Sequence, residues 1–419
     1  MKAKKIVKAV VAAALICAFL VNACGCAVKV KATDLMEGIE PQSSEKTPAM
    51  LPGSASRAAD FAVRLFKHCG ADGKNTLISP LSVLSALAMT LNGAKGETKK
   101  QMETALGMGA GELNDFFKAY MQALPNAEKY KLSLANSIWF KDDGSIDVDR
   151  GFLQTNADYF GAGAFKAPFD GGTLKDINGW VEEHTDGMIE DILDNIPGEA
   201  VMYLVNALAF EADWERIYES GDVRKGEFTL ENGEKQTAEF MYSTESKYLE
   251  DGSATGFIKY YSGHKYAFAA LLPNEGVSVS EYLASLDGKA LHDMLAQPQN
   301  ATVKANVPKF KTEYDTEMSD ILKAMGMTDA FDIGRADFSG LGYSKNGNIY
   351  VSRVIHKTFI SVDEKGTRAG AATAVEMGAG SAYNPDIKTV CLDRPFVYML
   401  IDTRNSVPFF IGTMMDVNG

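Results

Sequence analysis

The chain has 419 residues, of which 46% are hydrophobic and 23% charged, and its formal net charge at pH 7 is −13. This composition is typical of a soluble globular protein that can bury one large core or two ordinary ones. The acidic charge argues against general nucleic-acid binding, and the sequence has no Walker-type loop, zinc-spaced Cys/His set or HExxH motif. We therefore predict no metal site and no cofactor.

The N-terminus predicts an export signal. Lysines at positions 2, 4, 5 and 8 precede an apolar stretch, 9–21, that is too short for a convincing membrane-spanning helix. The following Val21-Asn22-Ala23-Cys24 resembles a bacterial lipobox. We expect residues 1–23 to be a lipoprotein-type signal peptide and Cys24 to carry the lipid. Cys26 is the alternative, and so is ordinary secretion after cleavage near residues 23–27.

Either export route would place the protein outside the cell or on its surface, and the lipid would be its one contact with the membrane. Residues 24–56 are rich in Lys, Glu, Ser, Pro and Gly and show little periodicity, which predicts a flexible tether. The two widely separated cysteines that follow, Cys69 and Cys391, do not make a disulfide scaffold.

Hydrophobic periodicity predicts the elements of the folded part. Ser56 is predicted to cap a helix that ends by Gly70, and Ser79 to cap the buried helix 80–91, with Pro80 at its first position. Further helices are predicted at 174–184 and 316–325, and strands at 132–140, 202–210, 266–272, 303–310, 351–362, 392–401 and 408–417. Helices come mainly early and strands mainly late, without regular βαβ alternation. This order predicts an α+β fold with large antiparallel sheets in one domain, 57–419.

The stretch 362–380, VDEKGTRAGAATAVEMGAG, combines a strand pattern with small residues. Drawn as a strand, one face carries Thr367, Ala369, Ala371, Thr373, Val375 and Met377, and the other carries Arg368, Gly370, Ala372, Ala374 and Glu376. Such a strand could bury one face, yet its small residues are poor material for a permanently ordered strand. The stretch is predicted to be either loop or strand, and a flexible linker is the alternative.

Several short motifs, in this order and spacing, resemble the serpin family over residues 57–419. They are Asn75 with Ser79-Pro80-Leu81-Ser82; Ile177-Asn178-Gly179-Trp180-Val181; Leu204-Val205-Asn206-Ala207 with Trp214; Val307-Pro308-Lys309-Phe310; Asp337-Phe338-Ser339-Gly340; His356-Lys357 leading into Asp363-Glu364-Lys365-Gly366-Thr367; and Asp393-Arg394-Pro395-Phe396. The resemblance implies a fold of three β-sheets and about nine helices, with an exposed reactive loop at about 364–392.

The resemblance also implies roles for single residues. A buried polar cluster behind the opening of the main sheet, the shutter, would contain Ser79, Ser82, Asn206 and His356. Buried polar groups need partners, which independently suggests that these four meet. The top of that sheet, the breach, would contain Trp214 and Lys309, with Lys309 paired to Glu364. The hinge of the loop would comprise Glu364, Gly366, Thr367, Ala369, Gly370, Ala371 and Ala372.

The implied function is inhibition of a serine protease by a suicide substrate, and not enzymatic turnover. The protease would form an acyl-enzyme with the loop, which would then insert as a new strand. Family spacing from Glu364 gives a reactive bond between Gly380 and Ser381, and the small residues there suit elastase- or subtilisin-like proteases. Because the following stretch is longer than usual for the family, cleavage could instead fall at Met377, Ala379, Ala382 or Tyr383.

Three alternatives stay open at this stage. A cut at Tyr383 would suit a chymotrypsin-like protease, and a cysteine protease is a further possible target. A non-inhibitory serpin-fold binding protein would carry bulky or charged hinge residues, of which Arg368 is the one mild example. We expect a monomer, and the acidic charge argues against a polysaccharide cofactor.

Overall fold

The computed structural model describes residues 31–42, 50–70, 73–124, 127–197, 200–367 and 387–419. These ranges contain nine α-helices and eighteen strands. The helices are α1 (Ser54–Cys69), α2 (Pro80–Leu91), α3 (Gly96–Leu106), α4 (Ala110–Gln122), α5 (Arg150–Phe160), α6 (Gly171–His184), α7 (Val279–Ser285), α8 (Gly288–Ala296) and α9 (Ser319–Ala324).

The first nine strands are β1 (Thr33–Asp34), β2 (Thr76–Ile78), β3 (Tyr130–Lys141), β4 (Ile146–Val148), β5 (Gly163–Ala167), β6 (Met202–Asp213), β7 (Val223–Thr229), β8 (Lys235–Glu250) and β9 (Ala254–Tyr260). The others are β10 (Tyr266–Pro273), β11 (Gln299–Pro308), β12 (Phe310–Glu317), β13 (Gly342–Ser344), β14 (Arg353–Val362), β15 (Gly366–Thr367), β16 (Ile387–Cys391), β17 (Phe396–Asp402) and β18 (Val407–Met414).

The strands form three sheets. A seven-stranded sheet has the order β1-β5-β3-β6-β15-β14-β12, and a nine-stranded sheet has the order β16-β11-β8-β9-β10-β17-β18-β2, with β7 paired to β8. A two-stranded sheet joins β13 and β4. The predicted α+β class, with three sheets and about nine helices, is confirmed for the described chain.

Helix α2 lies in the middle of the main core, and its sequence explains why. The Ser79 side chain accepts the N–H of Ser82 at 3.4 Å, and Pro80 occupies the first turn, where an N–H has no partner within the helix. All residues of α2 are buried, and the helix packs between β3 and β6 of one large sheet and β18 of the other. A second, smaller core lies between α6 and the opposite face of the seven-stranded sheet.

Several predicted element boundaries differ from the structure, and three of them show the reasons. Helix α1 begins at Ser54 after Gly53, so Ser56 lies inside the helix and does not cap it. Helix α9, predicted from position 316, begins only at Ser319, because positions 316 and 317 still pair with β14. The strand predicted at 392–401 begins at Phe396, and a separate strand ends at Cys391. For α9, pairing with a distant strand overrides the local pattern, whereas for α1 the cap is a neighbouring glycine, which offers no side-chain signal.

The predicted tether needs a correction for residues 31–42, which dock on the body. Strand β1 pairs antiparallel with β5, and the N–H groups of Lys31 and Ala32 donate to Asp176 Oδ2 at 2.9 and 3.0 Å. Further along, the N–H of Gln42 donates to Asp158 Oδ1 at 2.7 Å. Main-chain groups of the segment make these hydrogen bonds, and composition does not reveal such bonds.

The predicted signal peptide and Cys24 lie outside the described residues. Among the helices of the described ranges, none is long and apolar enough to cross a membrane.

Candidate functional site: the opening between strands β6 and β14

Strands β6 and β14 run parallel but pair at one end only. Their ladder joins Arg353 to Tyr203 and continues to the pair formed by His356 and Asn206. Beyond this row, residues 207–211 of β6 and 357–361 of β14 have no ladder between them, and no described strand lies there. Five residues of each strand therefore border an opening about 17 Å long, at the usual rise of about 3.3 Å per residue.

The start of the predicted loop closes the far end of this opening. Strand β15 pairs antiparallel with both neighbours: Gly366 lies opposite Asp213, and Thr367 lies opposite both Ala212 and Val362. A Cβ atom on Gly366 would lie 2.0 Å from the carbonyl oxygen of Ala212, so only glycine fits this position. Two of the predicted hinge residues are thus already strand residues of the sheet.

The four predicted shutter residues meet at the other end of the opening. The N–H of Ser79 donates to His356 Nε2 at 3.0 Å, so the ring proton lies on Nδ1, which donates to Asn206 Oδ1 at 2.9 Å. The Ser82 hydroxyl donates to the same Asn206 oxygen at 3.0 Å, and the Asn206 amide nitrogen donates to the carbonyl of Ile355 at 3.2 Å. The cluster thereby fastens β6, β14 and α2 together.

Complete burial lowers the pKa of His356 to about 3, because the charged imidazolium would lose its hydration. The ring is therefore neutral at physiological pH, which the hydrogen bond from Ser79 requires. A further buried polar pair lies beside this cluster, where Asn136 is opposite Asn206 in the ladder of β3 and β6, and the sequence did not single it out. The Asn136 amide on β3 donates to the Ser85 hydroxyl on α2 at 2.9 Å. Asn136 could have been identified from the sequence, because it is an amide within the predicted apolar strand 132–140.

Trp214 follows β6 and holds residues 363–365, here called the loop root. Its indole N–H donates to the carbonyl of Asp363 at 2.9 Å, and its main-chain N–H donates to the carbonyl of Lys365 at 2.8 Å. The main-chain N–H of Tyr218 donates to the carbonyl of Glu364 at 2.9 Å. Three consecutive carbonyls of the loop root are therefore bound by one short segment.

Lys309 forms ion pairs with two carboxylates at the same end of the opening. One is Glu364, the predicted partner, and the other is Glu239 on β8, at 2.9 Å. Partial burial lowers the pKa of Lys309, but the two carboxylates outweigh it and raise that pKa above its ordinary value. Burial raises the pKa of Glu364, and Lys309 outweighs it and lowers that pKa. The Glu364 and Glu239 side chains are 36% and 52% exposed, so each pair contributes about 1 kcal/mol or less.

The remaining residues predicted for the loop lie outside the described residues. They are the hinge positions Ala369, Gly370, Ala371 and Ala372, the predicted reactive bond Gly380–Ser381, and its alternatives Met377, Ala379, Ala382 and Tyr383. The described ranges contain no group of three or more His, Cys, Asp or Glu side chains that could hold a metal ion.

This architecture, with a partly open main sheet and a chain segment entering it, defines a serpin. The chain belongs to that family: the family model for serpins, serine protease inhibitors, matches residues 56–417. Members of the family are generally protease inhibitors and not enzymes.

Two similar proteins illustrate the likeness. The thermophilic serpin tengpin, solved in its native state, is 47% identical with a TM-score of 0.87, over 92% of this chain and all of that chain. Tengpin in its latent state gives a TM-score of 0.77 at 45% identity, over 90% of this chain and all of that one. Ipis-1 of Ixodes persulcatus is 31% identical over 373 residues, which is 85% of this chain and 97% of that protein.

Human thyroxine-binding globulin is 23% identical with a TM-score of 0.78, over 88% of this chain and all of that one. At this level of identity the likeness shows the fold alone.

Proposed function

We propose that this protein inhibits a serine protease as a suicide substrate, with an elastase- or subtilisin-like protease as its target. The observation that carries the proposal is the position of Gly366 and Thr367, which already pair with β6 and β14 at the entrance of the opening. Insertion of the following residues would extend an existing strand, so it needs no new nucleation step.

The register of β15 supports this proposal. Thr367 lies opposite Ala212 of β6 and Val362 of β14. In a continued antiparallel strand, each following loop residue would lie opposite the next lower-numbered residue of both strands. Thr373 would then lie opposite both Asn206 and His356, which are themselves a directly paired row. The two independent registers agree, so a strand could continue without a slip on either side.

The chemistry follows from this arrangement. The protease serine would attack the carbonyl of Gly380, form an ester with it and release the new N-terminus at Ser381. If the cut strand then inserts, the thirteen steps from Thr367 to Gly380 span roughly 43 Å, and the acylated protease is carried to the opposite end of the sheet. The small residues at 379–382 favour a protease with a small specificity pocket.

Incubation of the purified protein with pancreatic elastase tests the proposal. We expect a covalent complex that survives SDS. We also expect a released C-terminal peptide whose mass corresponds to residues 381–419, starting at Ser381. A peptide that begins after Met377, Ala379, Ala382 or Tyr383 would move the reactive bond to that position. Complete cleavage without complex, by elastase, subtilisin and chymotrypsin alike, would contradict inhibition and favour a binding protein.

We also propose that the protein is exported and carries a lipid on Cys24. The support is the basic and apolar order of residues 1–23, followed by Val21-Asn22-Ala23-Cys24. Labelling of a bacterial expression host with an alkyne fatty acid should mark the wild-type protein and the Cys26→Ser variant, but not Cys24→Ser. Label retained by Cys24→Ser would contradict this assignment.

A further inference from the structure

A buried ion pair lies behind the segment that holds the loop root. Lys259 on β9 donates from Nζ to Glu245 Oε1 on β8 at 3.1 Å, and the two side chains are 4% and 12% exposed. The same ammonium group lies 3.4 Å from the carbonyl oxygen of Arg216. The family motifs in the sequence gave no role to Lys259 or Glu245.

Two aromatic rings face the ammonium group of Lys259. Its Nζ lies 4.4 Å from the centre of the Tyr218 ring and 5.3 Å from the centre of the Trp214 ring. At these distances the electron-rich ring faces attract the cation, and more strongly when water is excluded. Lys259 therefore contacts residues 214, 216 and 218 at once, and these residues belong to one segment, 214–218, here called the support segment.

The support segment is the one that binds the loop root. Trp214 and Tyr218 supply the three hydrogen bonds to the carbonyls of Asp363, Glu364 and Lys365. The segment is not a helix or a strand, apart from a single bridge between Trp214 and Tyr261. Its shape depends on what its side chains and carbonyls contact, and Lys259 is the cation at the centre of those contacts.

We infer that the Lys259–Glu245 pair positions the support segment and thereby sets how readily the loop root separates from Trp214 and Tyr218. The inference rests on the proposed function for its biological meaning, because release of the loop root would precede insertion.

The physical reason is that a buried ion pair contributes little net stability, whereas the loss of one partner leaves a charge without compensation. Such a pair specifies one arrangement of its neighbours more than it strengthens the fold. If Lys259 lost its ammonium group, the support segment would lose its two ring contacts and the contact with the carbonyl of Arg216 together.

The direct test is hydrogen exchange of the peptide that contains residues 214–218, measured by mass spectrometry on the full chain. Lys259→Met should accelerate exchange of this peptide at least about tenfold, because the amides of Trp214 and Tyr218 are those that bind the loop root. Lys259→Arg keeps the charge and should stay within about threefold of the parent protein. The matched control is Lys235→Met, which removes an exposed ion pair with Glu227 and should change nothing.

Two outcomes would overturn the inference. One is an exchange rate at residues 214–218 that Lys259→Met leaves unchanged. The other is equal acceleration throughout the nine-stranded sheet, which would indicate a general loss of stability. If Lys259→Met does not fold, the double variant Lys259→Met/Glu245→Gln removes both charges and should still accelerate this peptide selectively.

A second measurement separates this inference from the proposed function. In the elastase assay, Lys259→Met should change the ratio of covalent complex to cleaved inhibitor at least about threefold relative to the parent protein. Lys259→Arg should give the ratio of the parent protein. If the parent protein forms no complex with any protease, the proposed function fails, while hydrogen exchange still decides the role of Lys259.

Discussion

The hydroxyl groups of Tyr261 and Thr367 are hydrogen-bonded to each other in the interior, although 106 positions separate them in the sequence. Tyr261 is fully buried and stacks on Trp214, with ring centres 4.4 Å apart and planes inclined by 7°. Burial raises the pKa of Tyr261 well above its usual value, so the phenol stays neutral. The first loop residues are therefore part of the protein core and not simply adjacent to it.

Substitution of Thr367 should convert an inhibitor into a substrate. Thr367 is 2% exposed, so the Thr367→Arg side chain would place an unpaired charge in the core and expel the strand. We expect the ratio of covalent complex to cleaved protein, read from gels after reaction with elastase, to fall more than about tenfold. Thr367→Ser keeps the hydroxyl and should behave like the parent protein. Complex formation by Thr367→Arg at the parent's yield would contradict this role.

Gly366→Ala should release β15 without adding charge. The new Cβ would overlap the carbonyl oxygen of Ala212 at 2.0 Å, so the two-residue strand has to move. We expect trypsin, which cuts after Lys and Arg, to cleave the Lys365–Gly366 bond faster in this variant, as mass spectrometry of the products would show. Gly171→Ala is the matched control, since nothing lies within 4 Å of its added Cβ. Equal cleavage of that bond in all three proteins would mean that β15 tolerates the methyl group.

His356 should make stability dependent on pH. Its pKa is about 3 in the folded protein and 6.5 in the unfolded chain, so below pH 6.5 the unfolded chain binds more protons than the folded one. The contribution is complete above pH 6.5 and is lost as pH falls towards 3, at up to about 1.4 kcal/mol per pH unit. Urea unfolding at pH 7 and pH 5 measures it. The difference between the two values should be smaller in His356→Gln, and an equal difference would show that His356 is not responsible.

Asp176 should hold the N-terminal segment on the body. Its Oδ2 atom accepts the N–H groups of both Lys31 and Ala32, and hydrogen bonds to a charged group are worth about 1.5–3 kcal/mol each. Asp176→Ala should therefore accelerate hydrogen exchange at residues 31 and 32 at least about tenfold. Asp158→Ala is the comparison, because Asp158 binds the other end of the segment at Gln42. Unchanged exchange at residues 31 and 32 in Asp176→Ala would show that β-pairing alone holds them.

Local patterns predicted the elements well where one signal was strong. Helix α2 begins at Pro80 as predicted, because the cap and the proline are adjacent in sequence, and the predicted strand 202–210 lies within β6. Helix α1 was predicted to begin three residues too late, because glycine caps it without a side chain that a pattern could reveal. The four shutter residues were placed together by the resemblance to serpins, and the need of buried polar groups for partners supported that assignment.

The contacts around the loop root were not predictable in the same way. Glu245 and Lys259 lie on strands β8 and β9, and Tyr261 directly follows β9. The local pattern of all three is that of ordinary sheet residues. The roles of Lys259 and Tyr261 follow from their contacts with Trp214 and Thr367, respectively, which lie elsewhere in the chain.

The sequence by itself determined which residues could face inwards, because alternation along a strand and periodicity along a helix are local properties of the backbone. It also determined the small residues at the loop entrance, among them Gly366. Only the tertiary structure decided that β6 and β14 stand side by side but pair at one end, and that His356 bonds to Asn206 across 150 positions. Which strands become neighbours depends on the packing of the whole core, and that is a long-range property that no local pattern contains.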